Sequence, residues 1–390
     1  MKIVVVKLFL ALYLLSLAGI SPNIATSSPA VKEPTPIDAP RHRYQIDLKI
    51  DFDARSYSGS ERVRWVNRGN DAISVLYFHL YSNLRPDGSP TSTSASSAAD
   101  SESEEPRIEI TEVRSAAHGA PLTYSIDDHG TTLRISLGEQ IASGKSTEVV
   151  IGFKGNVPEV DADETGLTSH VVKQVSAAIR GERELRRPRD LNFRCRGVML
   201  LGTAYPVLAV HEGDEWVRKL EPSVGDIIFN EVADYDVKIE APPGVVVFTS
   251  AWEKETKSEG EKSSVFSAGP LREFAIIAGR NLRSEQTRIG ETTIRSIFVP
   301  EHATVGRRVL TMAADSFRIF SSRFGPLPFQ TINIAEAPLV AGLGSTEFSG
   351  IDVIASAFYI LIPPRCATFL RLFGSSAPRS SRVWNGAWPI

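Results

Sequence analysis

From Tyr44 the chain alternates. Tyr44, Ile46, Leu48 and Ile50 fall on one face, and Gln45, Asp47, Lys49 and Asp51 on the other. That period of two predicts a half-buried β-strand. Further strand patterns follow at 60–67, 73–80, 132–137 and 147–153, then at 235–240, 245–249, 274–278 and 293–299, separated by Gly, Asn, Asp and Ser. At Ala303 to Arg323 the period changes: Val309, Met312, Ala313, Ser316, Phe317 and Phe320 share one helical face, and Gly325-Pro326 stops the helix. A strand pattern at 331–334, the glycine-bearing stretch Ala341 to Gly350 and an apolar run from Ile351 to Ile360 complete the order. Many strands come first, then strand, helix, strand, which predicts a mainly β fold with an α/β segment behind it.

The flanks read differently. Met1-Lys2, an apolar run from Ile3 to Ile20 and Ser21-Pro22 have the layout of a secretory signal, so residues 1–30 are expected to direct export and be removed; an uncleaved membrane anchor is the alternative. The destination is periplasmic, secreted or membrane-anchored. Residues 31–41 read as a linker, and 86–106, without a large apolar side chain, as a disordered surface insert. Later in the chain no segment is long and apolar enough to cross a membrane.

The chain has 390 residues, 42% of them hydrophobic, enough for two cores, and a formal charge of −3. That charge offers no basic field for a nucleic-acid backbone, so nucleic acid is not an expected partner. The cluster from Arg180 to Arg189 is interleaved with Glu182, Glu184 and Asp190, as on a solvated face or loop. Two cysteines, Cys195 and Cys366, are too few for a disulfide framework or a cysteine zinc site, and each reads as unpaired.

Three blocks together resemble the M1 family of zinc aminopeptidases, in particular its exported bacterial members. The first is Leu200-Leu201-Gly202-Thr203-Ala204-Tyr205-Pro206, with Glu215-Trp216 and Asn230 to Val237 behind it. The second is Phe298-Val299-Pro300, the helix after it, and Phe324-Gly325-Pro326-Leu327-Pro328-Phe329. The third is Gly344-Ser345-Thr346-Glu347-Phe348-Ser349-Gly350. The resemblance implies an M1-type saddle-shaped β-sandwich N-terminal domain over 42–290, followed by the incomplete start of a thermolysin-like α/β catalytic domain over 291–358. It also makes Gly344, Ser345, Thr346 and Glu347 the substrate-binding residues. In the family the matching glutamate holds the substrate's free α-amino group while the strand backbone aligns the peptide. Thr346 stands where the family has Met, and Phe348 where it has Asn or Tyr.

The same resemblance calls for zinc, and here the chain departs from it. A zincin needs two histidines one helical turn apart, a glutamate beside the first and a third ligand downstream. The histidines are His42, His79, His118, His129, His170, His211 and His302, and no two are four apart. His211-Glu212 opens the pattern, but Glu215 stands where the second histidine belongs; a turn before a strand is the expected structure there. No catalytic or metal residue is therefore assigned, and no cofactor is expected in this chain, zinc and a peptide substrate belonging to intact relatives.

After Asp352 there is no Asp, Glu or Lys, while four arginines mix with Trp384, Trp388, Pro and Ser. Residues 359–390 thus read as a foreign tail. A neighbouring frame is compatible with an acidic amphipathic segment, so a frameshift is the expectation. The function that follows is that of a truncated M1-like metallopeptidase, inactive for want of zinc ligands. The alternative is a non-enzymatic exported β-sandwich module that binds a peptide or protein. The incomplete second domain is expected to pack poorly and leave Val353 to Phe358 exposed.

Overall fold

The computed structural model describes residues 41–85, 105–180, 187–213, 215–220, 228–254 and 263–361. The expected signal and linker before Arg41, residues 86–104 of the insert, 181–186 of the basic cluster and the tail from 362 lie outside them. No described helix is long and apolar enough to cross a membrane.

The alternation from Tyr44 is strand β1 (His42–Asp51), inward and outward residues taking strict turns. β1 pairs antiparallel with β2 (Ser56–Val66), which pairs with β3 (Ser146–Asn156). On its other side β1 runs parallel to Ala233–Glu240. Ser263–Leu271, Trp252–Lys254 and Arg107–Ser115 complete a seven-stranded sheet. Its inner face meets a four-stranded sheet containing Ile73–His79 and Thr132–Ile141. Trp65, Phe78, Leu133, Ile151, Phe153 and Tyr235 fill the space between. This is a β-sandwich in which each strand contributes every second side chain.

A second four-stranded sheet is built from Val246–Thr249, Ile276–Gly279, Val198–Leu201 and Asn192–Cys195. Its two inner strands are apolar at consecutive positions, Val198-Met199-Leu200-Leu201 and Ile276-Ile277-Ala278, all buried. Such a run requires cover on both faces. Met199, Leu201 and Ile276 join the sandwich core, while Val198, Leu200 and Ile277 join a second core on the far side. The sheet is the middle layer of the molecule.

The second core is closed by a five-stranded sheet in the order β4 (Arg283–Ile289), β5 (Thr292–Phe298), β6 (Thr331–Ala337), β8 (Ile351–Ala355), β7 (Ser345–Phe348). Gly290 lies in the tight turn between the paired strands β4 and β5. Ile297, Ala335, Val353, Ala355 and Phe348 face the middle layer. Ile294, Phe298, Ile332 and Ile334 face helix α2 (Ala303–Phe324), whose Val305, Val309 and Leu310 complete a third core. An earlier helix, α1 (Leu167–Arg180), and a short one, α3 (Ser356–Leu361), lie at the β7 end and touch each other.

The structure corrects one expectation. Val353, Ala355 and Ala357 are buried and Phe358 is half-buried, so the segment from Val353 to Phe358 packs well. The middle layer supplies the cover that helices were expected to provide. Residues 211–216 are also more regular than expected, because His211–Glu212 pairs with Glu215–Trp216 in a small hairpin.

Candidate functional site

Among the described residues β7 is the edge of the five-stranded sheet, paired on one side only, with β8. Its direction is set by the two-residue turn Ser349-Gly350. Gly350 has φ +76°, and a Cβ there would lie 2.6 Å from the Ser250 carbonyl oxygen, so only glycine fits. Ser349 N–H donates to Glu273 Oε1 (2.5 Å), and Arg272 N–H donates to Ser349 Oγ (3.2 Å). The turn is thereby fastened to the sandwich. Gly344 opens the strand by accepting from Ala355 N–H at 2.9 Å.

Alternation divides the strand's side chains. Thr346 and Phe348 share the face toward the middle layer. Phe348 is buried, its ring 2.7 Å from where a Cβ on Gly202 would be. The departure at Phe348 is thus an anchor against the Leu200 to Pro206 block. Ser345 and Glu347 share the other face and are exposed, with Ser345 Oγ donating to Glu347 Oε1 at 2.6 Å. Gly344, Ser345, Thr346 and Glu347 are therefore contiguous on one edge, but only Ser345 and Glu347 present side chains on the face shared with α2.

Directly across the pair from Glu347 stands Asp352. Burial, helped by the charge of Glu347, pushes the Asp352 carboxyl up to about 7. The sequence reading missed this residue. The signal was available, because a two-residue turn at Ser349-Gly350 fixes 347 opposite 352. At the far end of the same face, Glu336, almost fully buried, accepts from Val299 N–H (3.1 Å) and from His302 Nδ1–H (2.6 Å), tying the start of α2 to β6.

The histidines are dispersed. His42 Nδ1 accepts from Val66 N–H and its Nε2–H donates to Glu231. His79 lies buried beside Tyr81, with burial lowering its pKa to about 4, and His211 packs on Trp216. His170 donates to the Leu339 carbonyl. Cys195 is free and buried, its thiol pushed up to about 11 by burial, which suits neither a nucleophile nor a ligand. Among the described residues no group of three His, Cys, Asp or Glu could hold a metal ion. Ligand types that are far apart, or already engaged with backbone and carboxylate partners, do not fit the zinc that the M1 resemblance implies.

No protein-family model matches the sequence, and no curated protein matches it. Solved structures do match. A two-domain M1 zinc metallopeptidase variant bound to L-tryptophan superposes with a TM-score of 0.50 over 82% of this chain at 13% identity. The fold is M1-type. An M1 zinc metallopeptidase from Deinococcus radiodurans aligns with a TM-score of 0.49 at 15% identity. This chain spans 61% of the first structure's length and 60% of the second's. The M1-type fold accounts for the mainly β architecture with an α/β segment behind the sandwich, and at 13% identity the likeness rests on architecture.

Proposed function

We propose that residues 41–361 form the substrate-aligning part of an M1-like aminopeptidase, and that the 390-residue chain does not hydrolyse peptides. The observation that carries this reading is the edge strand β7, with one side unpaired and Glu347 exposed beside Ser345, set in an M1-type fold. An extended peptide can add to such an edge through backbone hydrogen bonds, and a carboxylate at its end can accept from a terminal ammonium group. Hydrolysis is assigned elsewhere because no two histidines are spaced for a zinc helix. On this reading the chain is exported, its tail is out of frame, and the zinc-bearing segment is encoded downstream of Asp352 in another frame.

Three measurements test it. Purified chain supplied with zinc is incubated with aminoacyl p-nitroanilides, and no turnover above zinc alone is expected; zinc-dependent turnover overturns the assignment. NMR titration with a short peptide bearing a free N-terminus is expected to shift β7 amides with Kd on the order of 1 mM. The shifts are expected to vanish with the N-acetylated peptide or with Glu347→Gln. Equal shifts for both peptides would remove Glu347 from the role. Sequencing the locus past Asp352 decides the frame.

A further inference from the structure

The outward face of the seven-stranded sheet is a field of ion-paired side chains with one gap in it. β2 is paired on both sides, by β1 and β3, yet its outward positions Ser56, Ser58 and Ser60 are all serine. None of the β-branched or aromatic residues that favour a strand stands there. The neighbouring strands carry longer side chains in register. Lys49 and Lys154 flank Ser58, and Asp51 and Asn156 flank Ser56. Short side chains between long ones leave a trough of about 470 Å³, floored by Ser56 and Ser58, a volume in the range of small-molecule sites.

The two ranks of the trough differ in chemistry. In the first, an ammonium group stands on either side of a hydroxyl, and the carboxylates that pair with them lie outside: Glu240 is 3.5 Å from Lys49 and Glu109 is 3.1 Å from Lys154. These four side chains are 44 to 66% exposed. Ion pairs so exposed hold less than about 1 kcal/mol, so both lysines can turn onto an incoming anion. In the second rank the Asp51 carboxylate and the Asn156 amide face each other across the Ser56 hydroxyl, which offers donors and acceptors to hydroxyl groups. The ranks are two residues apart, about 6.8 Å, roughly the span of one hexose ring with its acid group. We propose that this trough binds an acidic sugar, its carboxylate between Lys49 and Lys154 over Ser58 and its ring hydroxyls on Asp51, Ser56 and Asn156. A neutral sugar leaves the first rank without its anion, and a bare anion leaves the second without its hydroxyls. The site lies on the sandwich, in a different sheet from β7, and does not rest on the peptide-aligning reading.

The test is an NMR titration of the full-length chain with sodium glucuronate at fixed ionic strength. The amides of Ser56, Ser58 and Asn156 are expected to shift, with Kd on the order of 1 mM. Glucose and sodium acetate are each expected to bind about tenfold more weakly. Lys49→Gln combined with Lys154→Gln is expected to weaken glucuronate about tenfold. Ser58→Val is expected to do the same by filling the floor, with a residue that favours the strand and so keeps the chain folded. Glu347→Gln is expected to leave these shifts unchanged. No shift in the trough at about twenty times the expected Kd overturns the proposal. So do acetate or glucose binding as tightly as glucuronate, and glucuronate binding that survives both the lysine pair and Ser58→Val. A uronate tetrasaccharide that binds about tenfold tighter than the monomer identifies a polymer as the source of the sugar, and equal affinity identifies the free acid.

Discussion

The middle sheet and the β7 edge of the five-stranded sheet are built from strands of the same length and meet different fates. Val198–Leu201 is covered on both faces and both sides, whereas β7 is covered on one face by the middle layer and paired on one side by β8. The first arrangement holds the molecule together. The second leaves backbone donors, acceptors and a carboxylate within reach of a ligand. On the proposed reading, stability and recognition fall on different strands of adjacent layers, and Phe348 against Gly202 is one of the contacts between them.

Substitutions should separate the two. Phe193→Ala in the middle sheet is expected to cost about 3–5 kcal/mol in urea unfolding, because the ring is completely buried in the second core. Gly306→Ala is expected to cost about 1–3 kcal/mol. Its Cβ would lie 2.1 Å from the Phe298 ring, so α2 must lift from β5, and faster hydrogen exchange should be confined to the five-stranded sheet. At the edge, Ser345→Ala is expected to change stability by less than about 0.5 kcal/mol while altering the peptide-induced shifts.

Two carboxylates sharpen the comparison through pH. Glu61 is fully buried in the sandwich with neither oxygen hydrogen-bonded, and burial raises its pKa well above 4.5. The folded chain therefore keeps a proton that the unfolded chain releases. Stability is complete below pH 4.5 and falls as pH rises, by at most about 1.4 kcal/mol per pH unit. Asp352 contributes in the same sense, but only from about 3.8 up to about 7, where its folded form ionises. Glu61→Leu is expected to flatten the fall from about pH 4.5 upward, and Asp352→Asn only the part below about pH 7. Thermal melts across pH 4 to 9 check both; parallel profiles for the parent chain and the Glu61→Leu chain would show that Glu61 is not holding a proton.

Much of the fold was legible because burial on one face leaves a period of two. β1, β5 and α2 were read within a residue or two of their observed ends. The middle layer was legible in part: its strands at 245–249 and 274–278 were read, whereas Val198–Leu201, apolar at consecutive positions and covered by distant strands, was not. α1 was missed because its apolar stripe is exposed and polar groups hold it in place, the reverse of the usual helix. At the site, Gly344 to Glu347 were identified by resemblance, while Asp352, named by turn geometry alone, was overlooked. The poor packing expected for 353–358 failed because a third sheet was not anticipated.

The fastening of Ser349 and Gly350 to Glu273, Arg272 and Ser250 has a metrological consequence. A strand that slips by one residue exchanges its faces, which would point Phe348 outward and turn Glu347 into the core. Pinned at its turn, β7 works as a ruler whose zero mark is set by the sandwich. Any peptide aligned along it would be measured from a point that lies in a different layer of the protein.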